Sequence, residues 1–364
     1  MTTAELRPAT VLDMRRSPWS RLLRSIWQNS LPLCLATFSV AAAAQNTPLI
    51  SGGIGFFSDT TGGINTLQPA VAPVLTAPLG KYLLVESRGD IRQVYTSGAN
   101  NVYQGEFVAG LEFLQVDYVA ASQLTIVGGK FLIPFGTYNE RLSPFWIPNF
   151  QNAPLITSIG TRTSGACNGG MLRGALIAHE NLQINYNAYF SGSSSLHELK
   201  AARTTGGQAA LIFPHHRLEV GYSVQRFLQG THLTSQDAHL WWLPYRIPLE
   251  VRSEFAHSPT SEGYWVEAAY PLSQFRGPNS FLADIQPVFR MQQTYRIMPN
   301  FPGQADGLPA KNTQEADFGL DYVARGSVRL NSSYARSFSA AGNKNIWDTS
   351  LTYRFMFPTW KERK

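Results

Sequence analysis

Apolar and polar residues alternate along most of this chain. Leu182, Ile184, Tyr186, Ala188 and Phe190 are interleaved with Gln183, Asn185, Asn187, Tyr189 and Ser191, a period of two that predicts a strand with one greasy and one polar face. Between Lys81 and Gln93 the same period carries charge. Glu86, Arg88, Asp90 and Arg92 share one face, and Val85, Ser87, Gly89 and Ile91 share the other. Followed along the chain, the period predicts fourteen strands, near 81–93, 107–118, 123–132, 171–178, 182–190, 205–213, 217–227, 237–243, 247–257, 263–270, 281–296, 314–324, 327–338 and 346–357.

The connections alternate in length. Those at 120–122, 179–181, 214–216, 244–246 and 325–326 are short, whereas 94–106, 133–170, 191–204, 228–236, 297–313 and 339–345 are longer. Short periplasmic turns alternating with long external loops, around an even number of strands, predict an all-β fold: an antiparallel up-and-down transmembrane β-barrel spanning 81–357. The connections at 258–262 and 271–280 depart from the alternation. A hairpin hidden in 133–170 would raise the count to sixteen. A soluble β-sandwich fits the period too, but it would leave the aromatic outer stripes in water as a large apolar patch.

Composition points the same way. Charged residues make up 15% and aromatics 12%, with 30 glycines and 22 prolines, a balance of strands and turns rather than helices. The net charge of +6 is concentrated near the start, where Arg7, Arg15, Arg16, Arg21 and Arg24 outnumber Glu5 and Asp13. Without them 25 basic residues face 22 acidic ones, too few and too dispersed for a nucleic-acid surface. Arginines followed by the apolar run from Leu31 to Ala44 read as a secretory signal peptide over 1–44, cleaved after Ala44, with Met14 an alternative start. The run is too short to span a bilayer, and nothing later approaches the required ~18 apolar residues. Cys34 belongs to this leader and leaves Cys167 alone, so neither a disulfide framework nor a cysteine zinc site is expected. Residues 45–80, rich in Gly, Ala, Pro and Thr without sustained alternation, read as a plug, a periplasmic segment or part of a strand.

The last strand sets Leu351, Tyr353, Phe355 and Phe357 against Asp348, Ser350, Thr352 and Arg354, matching a lipid-facing side with an aromatic girdle and a polar lumen. Here the chain resembles bacterial outer-membrane porins, whose final strand ends in an aromatic residue read by the barrel-assembly machinery; this chain instead continues through a tail, 358–364. Gly129-Lys130-Phe131-Leu132-Ile133-Pro134-Phe135-Gly136 is similar to a segment of the phosphate-selective-porin-like group. The resemblance implies a barrel in outer-membrane lipid of the bacterial cell, passing small hydrophilic solutes without a cofactor, and it admits a homotrimer.

With polar faces inward, the expected pore lining includes Glu86, Arg88, Asp90, Arg92, Lys130, Glu250, Arg252, Glu254, Arg290, Asp317, Asp321, Arg329 and Arg354. Such a nearly balanced wall gives weak ion selectivity. The connection 133–170, ordered by Pro144-Phe145-Trp146-Ile147-Pro148-Asn149-Phe150, is long enough to fold into the lumen and narrow it. Tyr138, Glu140, Arg141 and Arg162 are its constriction candidates. Two other readings stand beside the open channel: a plugged barrel carrying hydrophobic compounds, and an enzyme at the barrel rim using His179, His197, His215, His216, His232, His239 or His257. No Gly-x-Ser-x-Gly, His-Glu-x-x-His or phosphate-loop motif supports the enzyme.

Overall fold

A computed structural model describes residues 48–98, 102–161, 165–196, 199–230, 232–275, 281–298, 307–324 and 327–358. The leader 1–44 and the tail beyond 358 lie outside the described residues. Sixteen antiparallel strands close on themselves, each paired with its neighbours in sequence and the first with the last. They are β1 (Leu49–Thr61), β2 (Ile64–Leu79), β3 (Leu83–Ser97), β4 (Tyr103–Ala121), β5 (Leu124–Leu132), β6 (Ala166–Ala178), β7 (Gln183–Gly192), β8 (Thr204–Phe213), β9 (Leu218–Phe227), β10 (Thr234–Trp242), β11 (Glu250–Ser258), β12 (Ser261–Ala269), β13 (Ile285–Arg296), β14 (Thr313–Ala324), β15 (Val328–Ser339) and β16 (Lys344–Pro358). Closure removes the unpaired edges that a lipid environment does not tolerate.

The faces are inside out relative to a soluble protein. On β16, Leu351, Tyr353 and Phe357 are exposed, while Asp348, Ser350 and Thr352 are buried. On β14, Phe318 and Leu320 are exposed, while Asp317 and Asp321 are buried. An apolar exterior around a polar interior needs a bilayer as its outer solvent, which excludes the soluble sandwich.

The strands predicted from 81 onward correspond to β3–β16, with ends shifted by a few residues. The count of fourteen is corrected to sixteen, and the two added strands come from 45–80 rather than from 133–170. Of the three readings of that segment, the strand holds for residues 49–79: the described barrel begins at Leu49, and β1 pairs with β16 over its whole length. Its proline content hid β2. Proline donates no ladder hydrogen bond, and the β2–β3 register is interrupted at Gln68–Pro69 and Ala72–Pro73. Gly62 and Gly63, with φ of 59° and 85°, form the two-residue hairpin that joins β1 to β2.

Connections 62–63, 98–102, 133–165, 193–203, 228–233, 259–260, 297–312 and 340–343 join strand ends at one end of the barrel, here the loop end; the others join them at the turn end. The two connections flagged by the sequence remain irregular, since 259–260 is short and 270–284 is long.

Candidate functional site

The described part of the 133–165 connection, residues 133–161 and 165, lies inside the barrel. It enters at Gly136, whose φ is 64°, and an added Cβ there would meet the Glu254 carboxylate at 2.9 Å. Glu254, on β11, accepts hydrogen bonds from the Thr137 backbone N–H and hydroxyl, from Tyr138 N–H at 3.0 Å and from Trp265 Nε1 at 3.0 Å. A single π-helical turn, Tyr138–Leu142, follows. The Gly129–Gly136 segment therefore leads the chain off the wall and into the lumen.

From there the segment touches most of the wall. Arg141 pairs with Glu219 of β9 at 2.5 Å, and Arg173 of β6 holds both Asp117 and Glu140. Arg88 of β3 donates to Ser143 Oγ at 2.6 Å. Phe145 packs edge-on to Phe57 with centroids 5.2 Å apart, where Gly53 and Gly55 leave room for the rings of Trp146 and Phe145. Asn149 donates to Glu267 and accepts from Gln286 and Arg329. The Asn152 carbonyl accepts from Arg290, while its amide donates to Asp348. Ile133, Phe135, Leu142, Ile156 and Ile159 form a dry core with Val127, Phe131, Met171, Tyr189 and Trp265 of the wall. Burial pushes the Tyr138 hydroxyl up to about 12 and raises the Glu140 carboxyl, against which Arg173 and Arg141 act.

The expected pore residues divide into two groups and two single positions. Glu86, Arg88, Asp90 and Arg92 form one inward file on β3, since Arg88 and Arg92 face Val74 and Ala70 of β2 in register. Arg252 sits between Glu250 (2.6 Å) and Glu267 (3.7 Å) and over the Trp241 ring. With Glu254, Arg290–Asp317 (2.6 Å) and Arg329–Asp321, it belongs to the wall that the loop covers. Arg354 faces Gly53 across the β1–β16 seam and is exposed near the turn end. Lys130 departs from the expectation. It occupies the alternate position to Val127 and Phe131, which pack inward, and its ammonium is bonded to the Leu111 carbonyl at 2.5 Å. Arg162 lies outside the described residues.

Sequence periodicity missed Glu112, the partner of Arg88. The β3–β4 register shifts between Arg88 and Gly89, and the extra residue on β4 breaks the parity that would have sent Glu112 outward. Asp117 and Ser143 were also absent from the expected lining, whereas Arg173 was expected at the far edge of the long connection. Asp117 and Arg173 follow from strand parity once their strands are placed; Ser143 depends on the loop's path. Among the rim-enzyme histidines, His239 is buried in the wall, 3.3 Å from Glu219 and 3.8 Å from Asp237, whereas His197 lies outside the described residues. No group of three or more metal-ligating side chains is found among the described residues.

No protein-family model matches the sequence. An uncharacterized protein of Aquifex aeolicus (strain VF5) is 22% identical over 325 residues, covering 75% of this chain and 71% of that one. Among solved structures, Salmonella typhi OmpF, in complex with daunomycin, superposes with a TM-score of 0.57 at 12% identity, over 85% of this chain and 97% of that one. An anion-selective porin from Comamonas acidovorans gives 0.54 at 9% identity, over 85% and 100%. A loop L8 deletion mutant of Vibrio cholerae OmpT gives 0.51 at 7%, over 86% and 100%. These identities speak for the fold, and the exterior speaks for the solvent around it: a closed apolar surface of sixteen strands. The chain has the fold of the bacterial outer-membrane porins, a closed antiparallel β-barrel of sixteen strands among the described residues.

Proposed function

We propose that this barrel is a passive channel through which small hydrophilic solutes or ions diffuse down their gradients, without cofactor or energy coupling. The observation that carries the proposal is the 133–165 segment laid across a polar lumen, beside inward charges that stay partly exposed: Arg92 at 32% and Arg173 at 33%. Paired charges of both signs favour weak ion selectivity over tight binding of one solute. Residues 49–79 are wall, so they supply no plug. Assembly by the barrel-assembly machinery and association as a homotrimer belong to the same proposal; chemical cross-linking in outer-membrane vesicles tests the trimer, and bands no larger than a monomer would overturn it.

The deciding experiment is single-channel recording of the refolded mature protein in a planar bilayer, with reversal potential under a salt gradient. Stepwise ohmic currents are expected. Silence from a barrel shown to be folded would overturn the channel.

A further inference from the structure

Arginine answers most of the inward carboxylates. Asp90, Asp117, Glu219, Asp317 and Asp321 each have an arginine at salt-bridge distance. Asp59 and Asp348 have no such partner among the described residues. One stands on the first strand and the other on the last, and the register sets them directly opposite each other across the β1–β16 seam. Cross-strand neighbours of this kind have Cβ atoms about 4.5–5.5 Å apart, where like charges repel.

The oxygens around this pair are short of partners. Asp348 is 5% exposed; its Oδ2 accepts from the Asn152 amide at 2.8 Å, but its Oδ1 is buried with no hydrogen-bond partner. Ser333, opposite Asp348 on β15, is also 5% exposed, and its Oγ is buried and unpartnered. Asp59 is half-buried, and its two oxygens accept from the Thr61 hydroxyl at 3.1 and 3.0 Å. It is the charged group that bears most strongly on Asp348. A buried carboxylate oxygen and hydroxyl left in this state beside a second carboxylate are costly unless a cation joins them.

We propose that Asp59, Asp348 and Ser333 hold a calcium ion at the seam where the barrel closes. An all-oxygen donor set selects a hard cation. Side chains in a row on a pleated wall suit calcium, which takes about six to eight oxygens in a flexible shell, better than magnesium with its near-ideal octahedron. Two carboxylates are enough because water completes the shell, and the half-buried Asp59 admits the ion from the lumen. Bound there, calcium ties the first strand to the last and, through Asn152, to the inserted segment. The site is independent of conduction through the barrel.

Calcium chloride titrated into the refolded mature barrel, at neutral pH in a detergent without phosphate groups, tests the proposal by calorimetry and thermal unfolding. One ion per chain is expected, half-saturating at about 0.1–1 mM, the range of extracellular calcium modules. Tm should rise as calcium is added and fall back with EDTA. Asp348→Asn and Asp59→Asn should each weaken binding about tenfold or more, since ligand charge sets calcium affinity, and remove the calcium-dependent rise in Tm. Asp90→Asn should leave binding intact, because that carboxylate is already held by Arg92. The wild-type titration decides the matter even where a variant fails to refold. A Tm that follows pH and ignores calcium would show that a shared proton holds the pair, and would overturn the proposal. So would calcium binding that survives both asparagine variants, or none at all to a folded wild-type barrel.

Discussion

The inward faces of β3 and of β9–β14 carry similar residues and do different things. Both alternate polar side chains with outward apolar ones, and both contain arginines paired to carboxylates. On β13 and β14, Arg290 and Asp317 are each 2% exposed, joined at 2.6 Å beneath the Phe150 ring and the Asn152 carbonyl. On β3, Arg92 and Asp90 are joined at the same distance, yet their side chains are 32% and 18% exposed. The same chemical pair is structural in one place and wetted in the other, because the inserted segment covers one wall and leaves the other open. An ion pair read from sequence therefore says nothing about its role until its covering is known.

The comparison can be broken most forcefully at Arg290. Arg290→Met leaves Asp317 as a buried, uncompensated charge and should cost about 3–5 kcal/mol in denaturant unfolding from detergent or lipid. Replacing Asp317 by Leu in the same protein should recover much of that loss. An Arg290→Met barrel as stable as wild type would mean that this wall is hydrated.

Glu254→Gln comes next. An amide presents one acceptor oxygen in place of two, so it cannot serve both Trp265 Nε1 and the Thr137–Tyr138 donors. A loss of about 1–3 kcal/mol is expected, with faster proteolysis within 133–165 as the direct readout. Uncut loop at wild-type rates would show that the apolar core alone holds the segment.

The smallest stability effect belongs to the open wall. Arg92→Gln should change stability by no more than about 0.5 kcal/mol, as for most partly solvated substitutions, while shifting the reversal potential towards cations by leaving Asp90 unpaired. A large stability loss with unchanged selectivity would erase the distinction between the two walls.

Much of the barrel was legible in the chain. Period-two alternation placed β3–β16, and the Asp348–Phe357 stretch assigned its own inner and outer faces as the structure has them. β1 and β2 were not legible by the same rule. Pro69 and Pro73 argue against a strand, and the Gly62-Gly63 hairpin signal was the available counter-evidence. The loop's entry into the lumen could be expected from its length and aromatic content, but its anchor could not, since Glu254 lies more than a hundred residues from Thr137.

By itself, then, the sequence determined which side of each regular strand is apolar, because side-chain direction along a strand is fixed by the two-residue period of the backbone. It also set a closed barrel as the form those strands take, because lipid leaves no partner for an open edge. Tertiary structure decided which inward residues meet water. Burial there depends on where the 133–165 segment lies against the wall, and that path is set by contacts between residues far apart in the chain. The bulge at Glu112 shows the same division locally: one extra residue in register turned a position that parity assigns to lipid into the partner of Arg88.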